Sequence, residues 1–322
     1  MLRLFSCIVV LLLTLSSSLS VAQTFPTRPP RLLVGFVPGG GVDTSGRIVA
    51  TKLSELWGQS ITVENRPGAG GTIAGAFVAK SPADGYTLVV CNVGSHGIAG
   101  SLYKNLAYDL VKDVTPVALI GTTPNVMVVN PSLPVNNVVQ FIEYAKANPG
   151  KISFGSSGVG TSTHLGVELF KMMAGVNLVH VPYKGGAQSG TDLLGGQIQL
   201  LITNLPEQIA YIKAGRVRAL GVSTAKRTAQ LPEVPTIAEA GLPGYEVTVW
   251  YGLCAPAGMP RELVQKINAD VQKAVASADT RQRLIENGIE PSSATPEQFA
   301  SFVQSEVTKW SRVVKDANVS AN

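Results

Sequence analysis

The stretch RLLVGFVPGGGVDTSGRIVATKLSEL, residues 31–56, decides the fold. It opens with an apolar run of strand length, Arg31 to Phe36, and continues into Pro38-Gly39-Gly40-Gly41, where three successive glycines remove side-chain packing and permit positive φ angles. The cluster Asp43-Thr44-Ser45 is typical of a helix N-terminus. Apolar residues then recur on one predicted helical face at Ile48, Val49, Leu53 and Leu56. A strand, a glycine-rich turn and a helix in this order predict an α/β protein.

The same alternation continues towards the middle of the chain. A second strand is predicted at 60–64, the glycine-rich turn 68–72 opens another helix, and a buried strand runs from Tyr86 to Cys91. Strands separated by helices predict a mainly parallel sheet. Beyond Val114 the pattern changes, because two proline-punctuated apolar strands, 117–120 and 126–129, follow each other without a helix.

A second strand–helix series then begins, which predicts a second lobe inserted into the first. It starts with a helix at 138–147 and a strand at 152–154, and its loop 155–160 is again rich in glycine and serine. The chain is predicted to be helical from Pro260 to its end. The predicted lobes comprise 23–123 with 247–322, and 124–246, with two strands crossing between them.

The N-terminal residues 1–22 have the features of a signal peptide. Arg3 supplies the positive charge, residues 8–15 form an apolar core, and Ser20-Val21-Ala22 offers the small residues that a signal peptidase requires. The apolar run is about half of what spans a bilayer, so a retained anchor is the weaker alternative. We therefore expect a cleaved signal and export of the mature chain.

Composition excludes several classes of protein. The 322 residues carry a net charge of +5, and only 15% are charged, against about 25% in an average soluble domain. A disordered chain, a collagen and a disulfide scaffold are thus excluded, and so modest a charge gives no reason to expect nucleic acid binding. Cys91 and Cys254 are expected to be small buried strand residues, with a bridge between them left open. The three histidines are scattered, so no metal and no cofactor are expected.

Glycine-rich turns before helices predict an anion-binding site. In a parallel α/β sheet, ligands bind beyond the carboxyl ends of strands, where helix N-termini present unpaired N–H groups and a partial positive charge. Two segments fit closely, 38–44 and 156–162, and 68–72 is a weaker third. The candidate ligand-binding residues lie on the first two loops and at the ends of neighbouring strands: Gly40, Gly41, Val42, Asp43, Thr44, Asn92, Ser95, His96, Ser156, Ser157, Gly160, Thr161, Ser162, Tyr183, Lys184 and Asn204.

Several of these candidates have a purely structural alternative. Asp43 could cap its helix, hold a bridging water or pair with a ligand ammonium group. Tyr183 and Lys184 could pack a turn, and Asn204 could cap the next helix. Thr161 is expected to contact the ligand, so that Thr161→Ala would weaken binding with little loss of stability.

Catalytic motifs are poorly matched. The first loop lacks the third glycine of GxGxxG, no GxxxxGK[ST] run exists, and Gly155-Ser156-Ser157-Gly158-Val159 places a glycine one position too early for GxSxG. No catalytic residue is predicted. A secreted α/β hydrolase remains one alternative function, and a ligand sensor for a signalling protein is another.

A set of ordered motifs resembles one family over about residues 25–315. The motifs are Arg66-Pro67-Gly68-Ala69-Gly70-Gly71, Asp84-Gly85-Tyr86-Thr87-Leu88, Asn148-Pro149-Gly150-Lys151, His180-Val181-Pro182-Tyr183-Lys184-Gly185, Leu231-Pro232-Glu233-Val234-Pro235-Thr236, Glu239-Ala240-Gly241-Leu242-Pro243-Gly244-Tyr245 and Ala255-Pro256-Ala257-Gly258. They resemble the extracytoplasmic solute receptors of the tripartite tricarboxylate transporter system, the Bug family. The chain departs from the family at Gly35, usually proline, and at Val42, often small and polar.

The resemblance implies a two-lobed Venus-flytrap fold and a solute-binding role without enzyme activity. It implies that a small organic acid binds between the lobes on the two predicted loops, and that membrane permease subunits receive it. The acid would be a mono- or dicarboxylate, an aromatic acid or an acidic amino acid. We expect the receptor to be a monomer.

Overall fold

The computed structural model describes residues 25–183 and 186–321. These residues form a ten-stranded mixed sheet that is flanked by ten α-helices. None of the helices in the described ranges combines the length and the apolar character that a membrane crossing needs. The predicted signal peptide, 1–22, and Lys184 lie outside the described residues.

The first strand–helix series forms as the periodicity predicts. Its elements are β1 (Arg31–Val34), α1 (Gly41–Trp57), β2 (Thr62–Asn65), α2 (Thr72–Ala79) and β3 (Thr87–Asn92). β1 is parallel to β2 on one side and to β3 on the other. Leu32, Leu33 and Val34 are fully or almost fully buried, because helices cover both faces of a parallel sheet. A short π-helical turn, Gly94–Ile98, and α3 (Ala99–Leu102) follow β3.

β4 (Val114–Val129) is one strand of 16 residues, where the sequence predicts two. The two prolines do not end the strand, since each lies where the lost N–H donor is tolerated. Pro116 lies at a register shift, and Pro124 is the last β4 residue paired with β9. From Asn125 onwards β4 pairs with β7 instead.

The second strand–helix series also forms. Its elements are α4 (Val138–Ala147), β5 (Ser153–Ser156), α5 (Ser162–Ala174), β6 (Val179–Pro182), α6 (Gly186–Leu194), β7 (Leu200–Asn204), α7 (Leu205–Lys213) and β8 (Arg218–Val222). β5 is parallel to β6 and β7. Both β7 and β8 are antiparallel to the second half of β4.

The second crossing strand is β9 (Thr248–Pro256), which pairs antiparallel with β3 and with the first half of β4. The sheet order is therefore β2-β1-β3-β9-β4-β7-β5-β6. Trp250 of β9 is fully buried and packs edge-on against Phe299 and Phe302. Its indole N–H donates to Glu306 at 3.2 Å.

The prediction of continuous helix after Pro260 is wrong. The segment contains α8 (Arg261–Ala276), α9 (Ala278–Glu286), the short β10 (Glu290–Pro291) and α10 (Pro296–Asp316). Gly288, with φ of +72°, turns the chain after α9, so that β10 pairs with β4 at Gly121 and Thr122. Thr295 and Gln298 then form a capping box that starts α10.

A disulfide joins Cys91 of β3 to Cys254 of β9, with the two Cα atoms 5.7 Å apart. Both residues are fully buried strand residues, as the sequence predicts. The bridge links residues that are 163 positions apart. It therefore joins β9, which comes late in the chain, to β3 of the first strand–helix series. A structural disulfide is typical of a protein that folds in an oxidising compartment.

We predict that the variant Cys91→Ser/Cys254→Ser is strongly destabilised. Closing a loop of 163 residues removes chain entropy from the unfolded state that corresponds to about 5 kcal/mol at most. Urea unfolding of the wild type with and without a reductant, and of the double variant, measures the loss. The reductant should not affect the double variant further. Alkylation of Cys91 or Cys254 in the native, unreduced protein would contradict the bridge.

Candidate functional site

The loop between β1 and α1 is organised around the buried carboxylate of Asp43. Gly39 N–H donates to Asp43 Oδ2 at 3.0 Å, and Arg47 Nε donates to Oδ1 and Oδ2 at 2.9 and 3.0 Å. Asn65, at the end of β2, donates from Nδ2 to Asp43 Oδ1 at 2.8 Å and to the carbonyl of Phe36 at 2.9 Å. The carboxylate therefore ties the loop to α1 and to β2.

The ionised form of Asp43 is favoured by these donors. Burial alone would raise the pKa of Asp43, but the hydrogen bonds from Arg47, Asn65 and Gly39 outweigh it and lower the pKa below 3.8. Because the charge is balanced inside the loop, it is a weak obstacle to an anion nearby. The sequence analysis offers three roles for Asp43: a helix cap, a partner for a bridging water, or a partner for a ligand ammonium group. The geometry favours a structural role, but the carboxylate accepts from Gly39 N–H and does not cap the helix.

Helix α1 starts earlier than the sequence predicts, with Gly40 rather than Asp43 as its N-cap residue. Gly39 needs to be glycine because its φ is +91°. Gly40, with φ of −80° and ψ of 167°, has a backbone conformation open to any residue. The N–H groups of Gly40, Gly41 and Val42 donate to no acceptor among the described residues. They form the positive end of α1, and Val42 packs its side chain against the core.

A cavity of about 390 Å³ opens beside this loop. Four parts of the chain surround it: the β1–α1 loop, the two crossing strands, the start of α7 and the connection from α9 to β10. Four of the predicted residues line it, namely Gly40, Gly41, Thr44 and Asn204. Residues from both strand–helix series therefore line one cavity.

Tyr251 of β9 lines the cavity and is buried, with 4% of its surface exposed. Its hydroxyl lies so close to Gly41 that a Cβ on Gly41 would overlap it. The hydroxyl makes no hydrogen bond to any described residue. Burial, with a contribution from the charge of Glu207, raises the pKa of Tyr251 above its usual value, so the hydroxyl keeps its proton and remains a donor.

The second predicted loop, 156–162, does not line this cavity. Gly160 is buried against Leu102 of α3, where any Cβ would overlap the leucine side chain, and its φ is +75°. Ser156 is buried, and its hydroxyl contacts Gly158 and His180. Two hydroxyls of the loop remain without a partner among the described residues, the buried Oγ of Ser157 and that of Ser162.

Thr161 has a structural role that the sequence analysis does not predict. It is the N-cap residue of α5, and its hydroxyl accepts from His164 N–H and donates to the carbonyl of Gly158 at 2.7 Å. An N-cap substitution by alanine typically costs about 1 kcal/mol. The structure therefore predicts that Thr161→Ala loses about 1 kcal/mol of stability, more than the sequence analysis expects.

Two stacked histidines contact the second predicted loop, 156–162. The rings of His164 and His180 lie 3.8 Å apart, and the ring of Phe154 is nearly parallel to both, 4.8 Å from His180 and 6.2 Å from His164. Burial, followed by the charges of neighbouring groups, lowers the pKa of His164 to about 3 and that of His180 to about 4. A neutral His164 can accept the hydrogen bond that Gly160 N–H donates to Nδ1 at 3.1 Å. His164 is thus a packing residue at the helix start.

Comparison with known proteins identifies the family. The family profile described as "Tripartite tricarboxylate transporter family receptor" matches residues 46–319. A Pseudomonas sp. protein described as "UPF0065 protein in tcbD-tcbE intergenic region" is 40% identical over 321 residues, or 99% of this chain and 95% of that protein. The chain belongs to the tripartite tricarboxylate transporter receptor family.

Two solved structures with bound ligands are similar to this receptor. R. palustris Rpa4515 with adipate is 42% identical, has a TM-score of 0.82, and the match covers 92% of this chain and 99% of that chain. MatC from Rhodopseudomonas palustris with bound malate is 33% identical, has a TM-score of 0.79, and the match covers 90% of this chain and 100% of that chain. The predicted family and two-lobed α/β fold are confirmed. The family is one of periplasmic solute-binding receptors and not of enzymes, which removes the hydrolase alternative.

The remaining candidates from the first strand–helix series lie at the end of β3 and in the π-helical turn after it: Asn92, Ser95 and His96. Asn92 Oδ1 accepts from the N–H groups of Gly94 and Ser95, while its Nδ2 is buried and without a partner among the described residues. Ser95 Oγ lies 2.7 Å from His96 Nδ1. Burial lowers the pKa of His96 to about 3, so its ring is neutral, and Nε2 is likewise unpartnered among the described residues.

The candidates Tyr183 and Asn204 form hydrogen bonds within the second strand–helix series. Tyr183 donates to Asp192 at 2.7 Å, and burial together with this contact raises the pKa of Tyr183 to about 12. This agrees with the alternative that it packs a turn. Asn204 is at the N-cap position of α7, but its side chain makes no capping bond and instead donates to Glu207 at 3.1 Å. Within the described residues, no group of His, Cys, Asp and Glu is arranged to hold a metal ion.

The residues of the site that the sequence analysis misses include Asn65, Glu207 and Tyr251. Asn65 and Tyr251 contact segments far along the chain, whereas Glu207 accepts hydrogen bonds from residues three and four positions before it, and none of the three belongs to a recognised motif. Tyr251 offers the only local signal, since it follows Trp250 on a crossing strand, and successive strand residues point to opposite faces. One of the two therefore had to face away from the packing around Trp250.

We predict that Asp43→Asn destabilises the receptor at neutral pH by about 2–3 kcal/mol, the value of a buried charge-assisted hydrogen bond. Because the folded pKa lies below the ordinary value of 3.8, the stabilisation is complete above pH 3.8 and is lost as the pH falls through the folded value. The difference between variant and wild type in urea unfolding should therefore shrink below this pH. Asp316→Asn, which removes an exposed charge, is the matched control. A pH-independent difference would contradict the assignment.

Proposed function

We propose that this receptor captures a small organic acid between its two lobes in the periplasm and delivers it to the permease of a tripartite tricarboxylate transporter. The lobes in this proposal are 23–123 with 247–322, and 124–246, and residues 1–22 are removed on export. The observation that carries the proposal is the cavity wall formed by Tyr251 and by Gly40 and Gly41, whose N–H groups donate to no acceptor among the described residues.

The geometry suits a carboxylate. Backbone N–H groups at a helix N-terminus donate to an anion and add the favourable end of the helix dipole. Tyr251 offers a further donor from a buried position, so the oxygen atoms of a carboxylate could be bound from two directions. The structural relatives support the same class of ligand, since Rpa4515 is described with adipate and MatC with malate.

The binding step is tested by a thermal-shift screen followed by calorimetry. The panel contains mono- and dicarboxylates, aromatic acids and acidic amino acids, with the matching amides and alcohols as uncharged controls. A ligand at 100 times its dissociation constant should stabilise the receptor by about 2.7 kcal/mol. A panel in which no acid raises the melting temperature would overturn the proposal.

Gly40→Ala is the sharpest test of where the carboxylate binds. Nothing lies within 4 Å of a Cβ placed on Gly40, and the backbone there is extended, so the free receptor should fold with unchanged stability. The added methyl group would instead fill open space beside the loop, where the proposal places the ligand. We predict a loss of affinity of roughly tenfold or more, equivalent to at least about 1.4 kcal/mol.

Gly195→Ala is the matched control, because its Cβ would meet only ordinary contacts at 3.6 Å or more, remote from the cavity. Equal affinity in Gly40→Ala and wild type would place the carboxylate elsewhere, with loop 156–162 as the next segment to test. Delivery is tested by uptake of the labelled acid into cells that carry the permease. Uptake should require the wild-type receptor and fail with Gly40→Ala. A receptor that binds but never supports uptake would favour the sensor alternative.

A further inference from the structure

A second part of the cavity wall offers hydrogen-bond acceptors, whereas the β1–α1 loop offers donors. It is formed by the start of α7, where Asn204 and Glu207 line the cavity. Asn204 is the N-cap residue and Glu207 lies in the first turn of the helix. The two walls differ in what they offer a ligand, since one presents N–H and O–H donors and the other presents oxygen acceptors.

The Glu207 carboxylate is held in one orientation. Thr203 Oγ1 donates to Glu207 Oε2 at 2.6 Å, and Asn204 Nδ2 donates to Oε1 at 3.1 Å. On a further side Gly186 lies so close that a Cβ on it would overlap the carboxyl group. A carboxylate can accept about four hydrogen bonds, so acceptor capacity remains after these two, and Glu207 lines the cavity.

Asn204 adds a second acceptor. Its amide nitrogen must face Glu207, because the amide oxygen in that position would be repelled by a carboxylate. The oxygen Oδ1 is therefore directed away from Glu207. It is buried and has no partner among the described residues. A buried acceptor without a partner is costly, so this atom favours a ligand that brings a donor.

Tyr251 lines the same cavity as both walls. It contacts Gly41 on the donor side and is influenced by the charge of Glu207 on the other. Glu286 also lines the cavity, and none of the described lining residues is lysine or arginine. A second carboxylate on the ligand would thus meet negative charge in a partly desolvated site, where like charges repel strongly.

We propose that Glu207 and Asn204 select a ligand that carries a carboxylate at one end and a hydrogen-bond donor, an ammonium or hydroxyl group, at the other. This inference rests on the proposed function, since it uses the same cavity for the carboxylate. It assigns Glu207 as a specificity-determining residue that discriminates against dicarboxylates.

The test compares matched ligands by calorimetry on the full receptor. One series is adipate, 6-hydroxyhexanoate and 6-aminohexanoate, and the shorter series is succinate, 4-hydroxybutyrate and 4-aminobutyrate. Within the series that binds, the amino or hydroxy acid should bind roughly tenfold tighter than the dicarboxylate. A larger gain for the amino acid indicates that charge decides the preference, and equal gains for both indicate that hydrogen bonding decides it.

Glu207→Gln should reverse the preference, because it removes the negative charge and adds an N–H donor at the same place. The dicarboxylate should gain affinity and the amino acid should lose it, each by several-fold. Tyr251→Phe should weaken every ligand of the series to a similar degree without changing their ratio. Glu233→Gln, the same chemical change at an exposed position of the second lobe, should change neither affinity nor ratio.

The outcomes separate this inference from the proposed function. If acids bind but Glu207→Gln leaves the ratio of dicarboxylate to amino acid unchanged, Glu207 does not determine specificity and the proposed function stands. Tighter binding of the dicarboxylate by the wild type would also overturn the inference. If none of these acids or those of the wider panel binds, the proposed function itself fails.

Discussion

The pairing of β4 with two different partners is the constraint on which the rest of the structure depends. Over Val114–Pro124 it is antiparallel to β9, and from Asn125 it is antiparallel to β7. Because a strand is nearly inextensible and its register fixes which face each side chain occupies, this one element sets how the two halves of the sheet meet. The disulfide joins β9, the partner of the first half of β4, covalently to β3.

The cavity lies where that change of partner occurs. Thr123 belongs to the last part of β4 that pairs with β9, and Tyr251 faces the cavity from β9 itself. Asn204, which is paired with Asn125 in the β4–β7 register, starts the wall formed by α7. A ligand that contacts the β1–α1 loop and α7 together therefore connects two halves that otherwise share few strands. In the proposed receptor, contacts made to both halves at once are the ones that favour a closed state.

The sequence predicts local features well and tertiary roles poorly. The glycine-rich turn at Gly39 and the helix after it are predicted because a positive φ and a helical period are local properties. The start of α1 is misplaced because Asp43 bonds back to Gly39 and engages Asn65, a residue 22 positions away. Pro116 and Pro124 predict an interruption of β4 only as long as their neighbours across the sheet are unknown. Tyr251 and Glu207 belong to no motif, and their roles arise when distant segments meet.

In the proposed receptor, the β1–α1 loop would bind an anion without a lysine or arginine among the described lining residues of the cavity. An arginine, Arg47, is present close by, but it is used to neutralise Asp43 rather than to contact the cavity. The aspartate in turn holds Gly39 and the end of β2, so the N–H groups of Gly40 and Gly41 are fixed before any ligand arrives. Donors that need no rearrangement lose little conformational freedom on binding. A charged side chain would attract any anion, whereas fixed N–H groups also require a particular position of the oxygen atoms, and this favours a specific carboxylate.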